Sequence, residues 1–158
     1  MTPEQAKKLF GQMQNFAKTQ SGPIAYNNLL TLEESFKKRI FKDGLNAFNS
    51  NIGDYLSKDW MMKRLEKGLQ IDYVDLNYSG ELKNSIDSFP KKNGAILEIK
   101  NGKNVQKANY QELLQGSKAG AGGPMDIFSP TANEISTLES DFEKQYMGYI
   151  DQILDSYL

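Results

Sequence analysis

The chain has 158 residues, a net charge of -1, and neither Cys nor His. Those two absences exclude disulfides, zinc–thiolate sites, Cys nucleophiles and every His-based triad, and they remove the commonest general base and metal ligand. The chain is therefore expected not to be an enzyme and to need no cofactor or metal.

A hydrophobic fraction of 39%, with eight Phe and eight Tyr, supports a real core. The length fits one domain, which would bury about 68–70% of its unfolded surface. A mean hydropathy of -0.60 points to long exposed faces. Residues 1–10 are polar, so no secretory signal is expected, and no run approaches the ~18 apolar residues of a membrane span. Arg39 and Arg64 are the only arginines among nineteen basic residues. Planar forks for phosphate are thus scarce, and the net charge gives no global pull toward nucleic acid.

In chain order, Thr2-Pro3-Glu4-Gln5 reads as a capping box with Pro at the first helical position. Ala6, Leu9, Phe10, Met13, Phe16 and Ala17 follow at helical period. Ser21-Gly22-Pro23 is expected to end this helix. A second helix is expected over 24–41, with Leu29, Leu32, Phe36 and Ile40 on one face, closed by Asp43-Gly44. Residues 45–77 lose the period and read as an extended excursion. It holds turn chemistry at Asn49-Ser50-Asn51 and Gly53, a short helix over 59–66 around Trp60, and a short strand over 71–76.

Ser79 reads as the N-cap of a short helix carrying Leu82 and Ile86 that stops before Pro90. Residues 94–100 read as a strand, with Asn101-Gly102 as a hairpin turn and 103–106 pairing back. Residues 107–115 read as a helix ending at Gly116. The stretch 116–124 is glycine-rich and reads as a mobile surface loop. Ile135, Leu138, Phe142, Tyr146, Tyr149, Ile150, Ile153 and Tyr157 mark a long helix of roughly 40 Å over 130–157. The expected class is α+β: N-terminal helices, a small antiparallel sheet, and a long C-terminal amphipathic helix packed on the sheet.

Candidate sites read plainly. The glycine-rich stretch lacks phosphate-loop spacing and precedes Pro124 rather than a helix start. The acidic pairs Asp72/Asp75 and Glu139/Glu143 read as solvated faces rather than acid–base or metal sites. Lys37-Lys38-Arg39 reads as a wet basic face, with contact to a nucleic-acid backbone or an acidic partner as the sharper alternative. Residues 91–118 carry six lysines against Glu98 and Glu112, a net of +4, and residues 130–158 carry a net of -5. Opposite charge at two ends either neutralises within one chain or joins identical copies head to tail.

Four motifs in order resemble the tail-completion and neck proteins of tailed bacteriophages. Tyr78-Ser79-Gly80-Glu81-Leu82-Lys83-Asn84-Ser85-Ile86 looks like their "TG-x-L-x-x-S-I" helix start, with Ser79 where Thr is commoner. Arg39-Ile40-Phe41-Lys42-Asp43-Gly44, followed by Asn51-Ile52-Gly53-Asp54-Tyr55-Leu56-Ser57, resembles an "IF-x-x-G … IG-x-Y-S" stretch. Ala108-Asn109-Tyr110-Gln111-Glu112-Leu113-Leu114-Gln115-Gly116 and Asp126-Ile127-Phe128-Ser129-Pro130 resemble two further segments, the latter leading to a terminal helix. The general style is also similar to neck proteins of crAss-like phages. The resemblance implies a virion structural protein, a homo-oligomeric ring of about six or twelve copies in the neck or tail. It implies portal, neck or tail proteins as partners, DNA only as passing cargo, no membrane, and a place in the virion after assembly in the host cytoplasm. The motif positions it marks as structural or interfacial are Ser79, Gly80, Leu82, Tyr110, Gly116 and Phe128. A cytosolic adaptor or regulatory protein-binding module is the alternative.

Overall fold

The structure is a computed structural model and describes residues 2–157. It is α+β: five helices among the described residues, one two-stranded antiparallel sheet, and a C-terminal helix packed on that sheet. In order these are α1 (Pro3–Phe41), α2 (Lys58–Glu66), α3 (Glu81–Ser85), β1 (Ile86–Lys91), β2 (Gly94–Ile99), α4 (Gly102–Lys118) and α5 (Ala132–Asp155). The chain divides into two compact units. The first comprises Met1–Leu32, Ser88–Leu97 and Asn133–Leu158; the second comprises Glu33–Asp87 and Glu98–Ala132.

The two expected N-terminal helices are one. The capping box forms as read, with Thr2 and Gln5 bonding reciprocally, but α1 runs on through Pro23. A mid-helix proline costs about 3 kcal/mol through its lost N–H and its clash with the preceding turn. Burial on both sides outweighs that here. Phe16 and Ile24 flank Pro23, and both pack with Ile150 of α5, alongside Phe142, Tyr146 and Ile153. The Phe16 ring lies 5.1 Å from Tyr146 and 5.3 Å from Tyr149. Gly22 is buried under the hairpin turn, where a Cβ would stand 3.2 Å from the carbonyl oxygens of Lys91 and Lys92.

The hairpin also forms differently. β2 pairs with the segment before it, through a turn at Lys92-Asn93, so residues 103–106 belong to α4 instead. Asn101 is no hairpin corner: its side chain accepts from the Lys103 amide and caps α4. Pro90 lies inside β1, which a two-stranded sheet tolerates because each strand has a free edge. Ile86 accordingly starts β1 rather than ending the preceding helix. Residues 71–76 form no strand. The α5 stripe is only partly covered: Ile150 is buried, whereas Ile135 and Tyr149 remain exposed.

In the second unit, Phe36, Ile40, Phe41, Ile52, Val74, Leu82, Ile86, Ala108 and Ile127 are buried, and α3 packs on α4. α4 extends past Gly116 to Lys118. The glycine-rich segment folds back on it, with the Ala121 amide donating to the Gly116 carbonyl and the Met125 amide to the Glu112 carbonyl. A Cβ on Gly116 would stand 2.0 Å from the Gly123 carbonyl oxygen and 2.7 Å from the Met125 nitrogen. Both obstacles are backbone, so neither can swing aside. Gly116→Ala is therefore expected to destabilise the fold by about 1–3 kcal/mol in urea unfolding. Gly148, in α5 with open space around it, is the control: Gly148→Ala is expected to stabilise by about 0.5–1 kcal/mol.

Candidate functional site

Arg64 stands in the last turn of α2, which Ser57 caps by accepting from the Trp60 amide. Its side chain is 1% exposed. Nε donates to the Gln70 carbonyl at 2.9 Å and Nη1 to the Asn77 carbonyl at 3.0 Å. Nη2 donates to both Asp75 carboxylate oxygens, at 2.8 and 3.0 Å. Asp75 accepts further from Gln70 Nε2, the Tyr55 hydroxyl and the Asn77 amide. The Tyr55 ring packs 4.5 Å from the guanidinium carbon. Segment 70–77 is thus wound around one planar cation. Leu76 adopts φ 51, a left-handed conformation that costs about 1–2 kcal/mol for a residue with a Cβ. It does so between Asp75 and Asn77, both of which must present acceptors to Arg64.

Burial, and next the nearby Asp75 carboxylate, push the Tyr55 phenol up to about 12. The arrangement leaves little free polar chemistry: Arg64 and Asp75 spend their groups on each other and on the loop. What faces outward is a cavity of about 330 Å³ walled by the rings of Tyr55, Trp60 and Tyr78 and by Leu56, Leu76 and Leu114, with Lys118 beside it. The Trp60 and Tyr78 rings lie 4.5 Å apart, and Lys67 Nζ sits 4.0 Å over the Tyr78 ring. Arg64, Gln111 and Gln115 line it as well, so the surface suits an aromatic group that can meet polar neighbours.

The acidic pair Asp72/Asp75 does not form a solvated face, because Asp75 is buried in this ion pair. The Lys37-Lys38-Arg39 knot is likewise not a uniform basic patch. Lys37 pairs with Glu33 at 2.6 Å. Arg39 is buried and donates to the carbonyls of Leu45, Ile127 and Ser129. Glu112 holds the same C-terminal segment from the other polarity, accepting from the Ile127 and Phe128 amides. Among the described residues, no three carboxylates converge where they could hold a metal ion, and no helix is long and apolar enough to cross a membrane.

The six motif positions do not gather into one site. Ser79 is exposed and accepts from the Glu81 amide, and Gly80 takes φ 75 as the N-cap of α3. Leu82 is buried in the second unit's core, while Tyr110 is exposed on α4. Gly116 and Phe128 belong together, because the segment that covers Gly116 leads to the Phe128 amide held by Glu112, and the Phe128 ring lies 6.4 Å from Phe41. Sequence reading missed Arg64, Asp75, Gln70 and the Trp60–Tyr78 pair as a unit. The one available signal was an arginine standing alone among lysines. No family model, curated protein or solved structure matches the chain.

Asp75→Asn leaves the Arg64 cation buried without its counter-charge and is expected to cost about 3–5 kcal/mol of unfolding free energy. The alkaline limb of stability tests the same network. The unfolded chain releases a tyrosine proton near pH 10, while the folded chain holds that of Tyr55 to about 12. This contribution is intact below pH 10 and is lost as pH rises through that window. Tyr55→Phe is expected to remove the most alkaline step from an absorbance titration at 295 nm and to flatten the loss of stability between those two pH values.

Proposed function

We propose that this chain is a structural subunit of a phage neck or tail that acts by fitting against copies of itself and against neighbouring virion proteins. The observation that carries it is a set of large apolar side chains left exposed on the second unit. Phe48, Leu56, Met62, Tyr110 and Leu113 are all exposed, on a scaffold whose loops are pinned by Arg39, Arg64 and Glu112. Phe48 and Leu56 stand on loops, Met62 on α2, and Tyr110 and Leu113 on α4; large apolar side chains held out to water on a pinned scaffold support an interaction surface. The ordered motif resemblance supports placing that surface at the head-to-tail joint or tail. Charge supports self-contact: Glu139, Asp141, Glu143, Asp151 and Asp155 of α5 take part in no ion pair among the described residues.

The cavity beside Trp60 favours a second reading, a protein-binding module whose partner is a single host protein, because an aromatic-walled pocket can anchor one foreign side chain. Native mass measurement separates the two. The purified chain is expected to form a closed oligomer of about six or twelve copies and to join particles when mixed with portal or tail components. A strict monomer that never joins particles, yet captures one soluble host protein, would replace the first reading with the second.

A further inference from the structure

Two features of the second unit match each other. One is a knob. Phe48 is 75% exposed, yet the loop that carries it is firmly built. Asn46 Oδ1 accepts from the Phe48 and Ser50 amides, the Asn46 amide donates to the Ser50 carbonyl, and Leu45 bridges to Asn51. Ala47 ties the loop to the Asp126 carbonyl, which leaves the exposed Asp126 carboxylate close by in the chain's path. A phenylalanine held out to water on a stapled loop loses little entropy on binding.

The other is a hole, the cavity of about 330 Å³ walled by Trp60, Tyr78, Tyr55, Leu76 and Leu114. Gln111, Gln115 and Lys118 also line it, so it is an open pocket of mixed character; its volume exceeds the roughly 150 Å³ that takes benzene in an enclosed cavity, so a phenyl ring fits against its aromatic wall. Trp60 is 37% exposed and Leu56 75% exposed at its mouth, so an apolar occupant would cover both. Lys118 and Lys67 stand beside it and form no ion pair among the described residues, opposite in sign to Asp126.

We propose that Phe48 of one copy seats in the Trp60 cavity of the next, with Asp126 facing Lys118. The inference rests on the self-assembly reading above and names its contact. Knob and hole are different patches of one chain, so the contact is head-to-tail and propagates from copy to copy.

Trp60 is the chain's one tryptophan and the chain has no Cys, which gives two clean readouts. With rising concentration, Trp60 emission is expected to shift to the blue in step with the mass. Phe48→Ala, whose side chain is exposed and whose fold circular dichroism would verify, is expected to weaken association roughly tenfold or more and to hold Trp60 at its monomer emission. Under oxidation, Ser50→Cys, exposed on the same loop and leaving the Phe48 ring in place, mixed with Leu56→Cys is expected to give cross-linked heterodimers, and the double variant a ladder. A wild-type assembly that Phe48→Ala forms equally well, or cross-links only between like variants, overturns this contact while leaving self-assembly standing. A wild-type chain that stays monomeric at every concentration, with unchanged emission, overturns both.

Discussion

Arg64 sits 1% exposed at the end of a nine-residue helix and directs four hydrogen bonds to the segment that follows. Two carbonyls and one carboxylate accept them, and the Tyr55 ring covers one face. No lysine could replace it, because an ammonium cannot present a planar fork to three acceptors while stacking on a ring. Arg39 does the same work elsewhere in the second unit, binding three loop carbonyls over the Phe36 ring. The chain has only these two arginines, and both are buried. Scarcity of arginine therefore says little about phosphate and much about how this unit holds its irregular backbone.

That distinction explains which parts of the fold were legible. The capping box at Thr2 and Gln5, the helix around Trp60 and the long aromatic stripe of α5 depend on local chemistry or helical period, and a sequence displays both. Pro23 misled because its penalty is local while the burial of Phe16 and Ile24 that offsets it comes from α5. Asn101-Gly102 misled because Asn serves equally as turn residue and helix cap, and the Lys103 amide decides between them. The candidate site was the least legible part. Arg64, Asp75 and Tyr55 meet through a loop whose shape no period encodes, and Leu76 enters a conformation that its side chain disfavours. Gly116 reads as a helix end, whereas α4 runs on to Lys118, and its missing Cβ makes room for Gly123 and Met125.

Around its apolar core the second unit turns several polar groups inward and leaves several large apolar ones outward. Asp75, Gln70, Arg39 and Glu112 are engaged in holding backbone, while Phe48, Leu56 and Leu113 face water. The Phe48 loop is held by Asn46 and by the Ala47 bond to the Asp126 carbonyl, and segment 70–77 by Arg64. These bonds fix the geometry of the two loops.

Self-association is proposed from loops held by Arg39 and Arg64 and from the apolar side chains exposed beside them. Hydrogen exchange read by mass spectrometry, at dilute and assembling concentrations, tests it most directly. The Asn77, Ile127 and Phe128 amides, held by Asp75 and Glu112, are expected to be protected at both concentrations, with added protection at 46–50 and 56–60 only on assembly. Rapid exchange across 70–77 and 125–129 in the dilute protein, with no change on concentration, would contradict it.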